Sequence, residues 1–316
     1  MHKPQRLRFR GPVPRTPVRD VTDEFRLALL QRPANPDGAD ALDAAIEDLR
    51  EAAARGGQIL VLPELFRSPY FCQEMTPDGF GLAERVPGPT TERLGRLARE
   101  LGVVIVASLF EEAAPGLCFN TTAVLDADGR FLGRYRKAHI PDDPLYFEKF
   151  YFTPGDSPWQ VFATRHARVG VLICWDQWFP EAARLTAMRG AEVLVYPTAI
   201  GTIDAEGAEQ HALQRDAWIT VQRSHAIANG LHVAAVNRVG REGELNFWGS
   251  SFACGPQGEI LAHAPSDAPE TLIVPCSRQR MRDTRQWWPF FRDRRIDHYG
   301  DLTRRWLGDA PGEDTP

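Results

Sequence analysis

Short apolar runs alternate with stretches of helical period along this chain. Residues 26–31 (RLALLQ) and 58–62 read as strands. Between them, 37–56 predicts a helix. Leu42, Ala45, Ile46, Leu49 and Ala53 share one face, and Gly56 supplies the stop. A second helix is expected over 91–102, with Leu94, Leu97, Ala98 and Leu101 on its apolar side, followed by a strong strand over 103–110. Segments 121–125 and 131–135 flank the turn Asp126-Ala-Asp-Gly129, which signals a hairpin.

The same order then returns. A strand over 169–173 ends at Cys174, and a helix over 180–189 opens with Pro180, a residue suited to a first turn. Strand 193–196, helix 210–228 and strand 232–236 follow. A second hairpin pairs 251–254 with 260–262 around Gly255-Pro-Gln-Gly258. The repetition, with no proline- or serine-rich linker between the halves, predicts one α/β domain with two related halves, from residue 23 to 307. Helices are expected on one face of each sheet, with the two sheets packed together. Residues 1–22 stand apart, with four prolines, six Lys or Arg and no apolar stretch. They read as an extended arm, packed on a partner subunit or disordered, and not as a secretory signal. Residues 308–316 read as a frayed tail.

Composition narrows the classes. The chain has 316 residues, 43% hydrophobic and 25% charged, enough for a sizeable core. Its net charge of −5 offers no general attraction for nucleic acid or an anionic membrane. No apolar run approaches the ~18 residues that span a bilayer. The five cysteines, Cys72, Cys118, Cys174, Cys254 and Cys276, are odd in number and widely spaced, and no CxxC pair occurs. A disulfide framework and a thiolate zinc site are therefore not expected, and a reducing, cytoplasmic setting is.

Four ionisable residues fall near element ends, where sites collect in α/β proteins. Cys174 lies between a strand and a helix, a place where the helix N-terminus would favour a thiolate. A buried core cysteine fits that position as well. Glu64 follows the apolar strand Ile59-Leu-Val-Leu-Pro63; a carboxylate there loses hydration and becomes a better acceptor for a thiol proton. Lys137, in Gly133-Arg-Tyr-Arg-Lys137, could stabilise an oxyanion, and Glu148 could orient it. Each also has a plain reading as a surface charge, Lys137 beside Arg134 and Arg136, Glu148 beside Lys149. A papain-like site would need a histidine at the cysteine, and His139, His225 and His232 keep that arrangement open. No Gly-x-Ser-x-Gly elbow, Walker loop or dinucleotide fingerprint occurs. Gly170 and Gly201 read as packing or turn positions.

Leu62-Pro-Glu-Leu-Phe66, Tyr135-Arg-Lys137 and Ile173-Cys-Trp-Asp176 together resemble the three signature segments of the nitrilase (carbon–nitrogen hydrolase) superfamily, in order and over most of the chain. The resemblance implies a four-layer αββα sandwich of two packed mixed sheets. It also implies a Glu–Lys–Cys triad in which Glu64 is the general base, Lys137 the oxyanion partner and Cys174 the nucleophile, with Glu148 as the additional glutamate. Further segments, Cys174-Trp-Asp-Gln-Trp-Phe-Pro-Glu181 above all, resemble the N-carbamoylputrescine amidohydrolase branch. The loop Phe66-Arg-Ser-Pro-Tyr70 departs from that branch. The implied substrate is a small ureido or amide molecule, with an amidase or carbamoyl-amino-acid hydrolase as the alternative and a non-catalytic scaffold as a third reading. No cofactor and no metal are implied, and a homodimer or larger ring is. For a cationic amine substrate the expected contacts are Tyr70, Trp175, Asp176 and Trp178, with Asp142 and Asp143 as further candidates. Glu181 is assigned to a helix start, and Trp248, Trp287 and Trp288 to core or interface.

Overall fold

The computed structural model describes residues 22–34, 41–157 and 159–308. The first half runs β1 (Glu24–Gln31), α1 (Ala41–Ala54), β2 (Ile59–Val61), α2 (Pro89–Leu101), β3 (Val104–Ala114), β4 (Leu117–Leu125), β5 (Phe131–Arg136) and a short α3 (Glu148–Tyr151). The second runs β6 (Gln160–Ala163), β7 (Arg168–Val171), α4 (Pro180–Met188), β8 (Val193–Pro197), β9 (Gly201–Ile203), α5 (Ala208–Asn229) and β10 (His232–Val236). It continues through β11 (Val239–Glu242), β12 (Leu245–Trp248), β13 (Phe252–Cys254) and β14 (Ile260–His263), and ends in β15 (Glu270–Ser277) and α6 (Arg278–Trp287).

Strand alternation sets the layers. In the first sheet, ordered β15-β1-β2-β3-β4-β5, Leu27, Leu29, Ile59, Val61, Val104 and Val106 pack against Val169, Val171, Val193, Val195 and Ala234 of the second sheet. The intervening Ala28, Leu30, Leu60, Ile105 and Ala107 instead meet Leu42, Leu49, Leu94 and Leu97 from α1 and α2. Successive side chains point to opposite faces, so one sequence pattern feeds two cores. The second sheet is ordered β14-β13-β10-β8-β7-β6, and α4 and α5 pack against it. Both sheets are mixed: β1, β2 and β3 are parallel, as are β7, β8 and β10, with antiparallel strands at the edges. The expected packing of two sheets between helices is therefore what forms.

Three differences from the expected elements have physical causes. The strand pairing antiparallel with β1 is β15, from the far end of the chain, and the sequence pattern did not predict it. Its Pro275 argues against a strand interior, yet β15 is an edge strand, where a missing donor is tolerated. β3 and β4 extend into one long hairpin closing near Gly116, because Glu111 and Glu112 pair across it despite their charge. β9, β11 and β12 form a separate three-stranded sheet too short to leave a period. The predicted arm lies outside the described residues except for Thr22, as do most of the predicted tail and the first turn of the predicted helix at 37. Among the described residues, no helix is long and apolar enough to cross a membrane.

Gly170 illustrates how tightly α4 sits on its sheet. A Cβ there would fall 2.5 Å from Thr186 Cγ2 and 2.8 Å from Leu194 Cδ2. Gly170→Ala is expected to destabilise the fold by about 1–3 kcal/mol, the usual cost of overpacking. A urea titration checks this, and an unchanged midpoint would contradict the packing described here.

Candidate active site

The four ionisable residues come to one place. Glu64 follows β2 at a sharp turn, where Leu65 takes a positive φ of 49°. Lys137 is the first residue past β5, and Glu148 opens α3. Alternation along β5 separates Lys137 from its basic neighbours: Arg134 and Arg136 pair with Glu111, while Tyr135 enters the core between the sheets. Cys174 lies beyond β7 and starts a single five-residue turn, Cys174–Trp178, with φ of 41°. Positive φ is costly for a side chain with a Cβ and persists only where surroundings over-determine it. All four are buried, Glu64 and Lys137 completely.

Lys137 Nζ is the hub. It donates to Glu64 Oε1 at 2.8 Å and to both Glu148 oxygens, at 2.9 and 2.7 Å. Asn120 Nδ2 donates to the same Glu64 oxygen at 2.6 Å, and Tyr70 OH donates to Glu148 Oε1 at 2.8 Å. Glu64 Oε2 is buried with no hydrogen-bond partner among the described residues, which leaves one oxygen to receive a proton. Cys174 Sγ lies 3.8 Å from the Ala199 carbonyl.

Two carboxylates and one ammonium in a dry site leave an excess of negative charge, and this sets the protonation pattern. Burial pushes the Cys174 thiol well above its usual range, Glu64 pushes it further, and Lys137 pulls it back only in part. The helix N-terminus expected to favour a thiolate does not start at the sulfur. The turn is too short to carry much dipole, and α4 begins only at Pro180. Burial opposes charge on Lys137, but Glu148 and Glu64 outweigh it and keep the ammonium. Burial raises the Glu148 carboxyl to about 7 even with Lys137 against it. The resting site thus holds a thiol that needs a base, and a carboxylate oxygen that can act as one.

Cys174 lines a cavity of about 610 Å³ together with Trp175 and Trp178. Of the other expected substrate contacts, Asp143 lines it too, whereas Tyr70, Asp142 and Asp176 are not among its lining residues. Tyr70 sits behind Glu148, and its backbone N–H donates to Glu242. Asp176 is buried and accepts from Tyr135 OH at 2.8 Å, from the Ile173 N–H at 3.0 Å and from the His139 N–H at 3.1 Å. It fixes the cysteine turn rather than facing a ligand. Glu181 lies in the first turn of α4 as expected. Trp248 also lines the cavity, while Trp287 and Trp288 are exposed at 82% and 48%.

The histidines are engaged elsewhere. His139 pairs with Asp176 and stacks on Phe179 at 3.7 Å between centroids, His225 donates to the Gln177 carbonyl, and His232 to the Ser277 carbonyl. Sequence reasoning missed Asn120, Tyr146, Glu206 and Asn237. Asn237 grips the cavity wall, its amide exchanging bonds with Ile200 N and O at 3.0 and 2.9 Å. Only its place at the end of an apolar strand could have signalled it.

A family model for carbon-nitrogen hydrolases matches residues 26–286. N-carbamoylputrescine amidase of Arabidopsis thaliana is 45% identical over 285 residues, covering 87% of this chain and 94% of that protein. Citrullinase of Francisella tularensis subsp. tularensis is 38% identical over 290 residues, covering 89% and 99%. Among solved structures, the carbon-nitrogen hydrolase from Helicobacter pylori G27 aligns with a TM-score of 0.86 at 41% identity, covering 90% of this chain and all of that one. A match of this extent, on a fold of two mixed sheets between helices, makes this chain a member of the carbon-nitrogen hydrolase family, the nitrilase superfamily of amidohydrolases.

Proposed function

We propose that the protein hydrolyses the terminal ureido group of a cationic alkylamine, N-carbamoylputrescine being the expected substrate, with Cys174 as nucleophile. One observation carries the substrate class. Asp143, Glu206, Trp175, Trp178 and Trp248 are among the residues lining the cavity above Cys174, and none of its lining residues is Lys, Arg or His. Such walls favour a distal ammonium through charge and aromatic faces. The names of the Arabidopsis relative and its plant counterparts support the same reading. A carbamoyl-amino acid would bring a carboxylate, for which the lining residues offer no cation.

In the mechanism, Glu64 Oε2 takes the Cys174 proton as Sγ attacks the ureido carbon. Lys137 and the backbone N–H of Trp175 receive the oxyanion. Collapse expels one nitrogen with the proton from Glu64 and leaves a carbamoyl thioester. Water, deprotonated by Glu64, then releases the thiol and a carbamate, which breaks down. The products sum to the amine, ammonia and carbon dioxide. Tyr70 and Asp176 act here only through Glu148 and the cysteine turn. The five buried free cysteines fit a reducing compartment. The exposed Trp287, Trp288 and Phe290 fit a homo-oligomeric contact, readable by sedimentation.

The test compares ammonia release from N-carbamoylputrescine, citrulline, N-carbamoyl-β-alanine and the neutral butylurea. N-carbamoylputrescine is expected to be preferred, and a clear preference for the acid would overturn the assignment. With both acidic walls neutralised, in Asp143→Asn combined with Glu206→Gln, KM for N-carbamoylputrescine is expected to rise by about three- to tenfold, the scale of partly exposed charge pairs. Butylurea should change little. Equal effects on both would remove the carboxylates from ammonium recognition.

A further inference from the structure

The mechanism leaves a deeply buried cation unused. Arg238, 1% exposed, follows β10, and Asn237 before it grips the cavity wall at Ile200. A guanidinium has five N–H donors, and each of the five finds an acceptor here. Nε donates to the Glu64 carbonyl at 3.0 Å. Nη2 donates to the Leu65 and Ser68 carbonyls at 2.5 and 3.0 Å. Nη1 donates to both Glu242 oxygens, each at 2.9 Å. Glu242 Oε2 in turn accepts the Tyr70 N–H at 2.6 Å, and the Tyr70 hydroxyl meets Glu148.

These bonds converge on the two carboxylates from behind. The turn at Glu64 needs holding, because Leu65 sits at positive φ and its N–H is tied to Ser108 Oγ at 3.1 Å. Arg238 takes three carbonyls of that turn, Glu64, Leu65 and Ser68, and so fixes the direction in which the Glu64 side chain leaves the backbone. A planar fork with fixed donor angles can do this, and a lysine with three donors cannot. The arrangement also spans the two halves. Cys174 and Arg238 belong to the second half, whereas Glu64 and Glu148 come from the first.

We propose that Arg238, with Glu242, is a positioning residue for the hydrolysis: it holds the Glu64 turn by its backbone and, through Tyr70, the Glu148 carboxylate, and thereby sets where the base meets the Cys174 thiol. The proposal rests on the reading of Glu64 as base. Iodoacetamide labelling of Cys174, followed by mass spectrometry across pH, reads that contact without any choice of ureido substrate.

In Arg238→Lys, kcat is expected to fall by about 100-fold with KM nearly constant, the effect of a misplacement near 1 Å. Cys174 labelling near neutral pH should slow in parallel, and its pH profile should move upward. Glu242→Gln keeps the shape but weakens the pair. It is expected to show the same pattern at about tenfold, and it decides the matter if Arg238→Lys does not fold. Folded variants with wild-type kcat and a wild-type labelling profile would overturn the proposal, as would a loss confined to KM. Glu64→Gln is the control for the underlying reading. If it leaves the labelling profile unchanged, Glu64 is not the base and the proposal falls with it. If labelling depends on Glu64 and Arg238 yet N-carbamoylputrescine is not turned over, the positioning role stands and only the substrate is wrong.

Discussion

Cys174→Ala is expected to lower ammonia release by about 10⁴-fold or more, the scale on which loss of a nucleophile acts. The sulfur is the only thiol among the cavity's lining residues, and no serine or threonine stands beside it there to replace it. Cys174→Ser should be nearly as inactive, since the site already holds two carboxylates and resists a further anion. A hydroxyl, less acidic than a thiol, suffers more from that field. Stability should change little, because alanine keeps the same backbone demand at φ 41° and loses one buried atom. Ammonia detection with the purified variants checks the rate, and thermal melting confirms the fold. Equal rates in wild type and Cys174→Ala would remove the thiol from the mechanism.

The sequence carried the layering because β1, β2 and β3 alternate cleanly, and it carried the strand–helix order because α1 and α2 show one apolar face each. It could not carry β15, where Pro275 masks a strand made at an edge. Of the site, Glu64, Lys137, Glu148 and Cys174 were visible as polar residues at element ends. Their mutual bonding was not, because it depends on β2 and β5 lying in one sheet and Cys174 in the other. The expected contacts Tyr70 and Asp176 show the limit most clearly. Both lie near the site in sequence, yet their polar atoms turn away from the cavity to hold Glu148 and the cysteine turn. Glu206 ends a single helical turn, Asp204–Glu206, of ordinary polar composition, and nothing in the pattern marked it. Arg238 was equally silent, since a buried arginine looks in sequence like any surface one.

The division of labour between the halves follows from the same topology. The first half supplies Glu64, Lys137 and Glu148, the charged groups bonded to one another at the site. The second supplies the sulfur and most of the cavity wall, which Asn237 ties at Ile200, and Arg238 reaches back to the Glu64 turn of the first. Small errors in how the two sheets pack would therefore act directly on the distance between Glu64 and Cys174. The inter-sheet core is built there from β-branched and small residues such as Val193, Val195 and Ala234, all fully buried.

Lys137→Met is expected both to abolish activity and to cost about 3–5 kcal/mol of stability at pH 8, because breaking a buried ion pair from one side leaves uncompensated charge. The pH dependence distinguishes this from simple packing loss. An ordinary glutamate titrates near ~4.3, whereas Glu148 in the folded protein is raised to about 7. Below the lower value both folded and unfolded chains hold the proton, and Glu148 contributes nothing. Between the two values only the folded chain retains it, so stability falls as pH rises, and above about 7 the cost is fully present. Lys137 has the same sign but a higher window. Its raised value adds stability that is fully present below the ordinary lysine range and lost only above it. Without the ammonium, the Glu148 carboxyl moves higher still, and the wider window makes the variant weakest at alkaline pH. Urea unfolding at pH 5 and pH 8 should therefore show a smaller difference from wild type at pH 5. Adding Glu148→Gln to Lys137→Met should return part of the stability and none of the turnover, since the lost charge partner matters to the fold but the lost oxyanion contact matters to the reaction. A deficit equal at both pH values, with no recovery in the double variant, would mean that Lys137 holds the site by shape and not by charge.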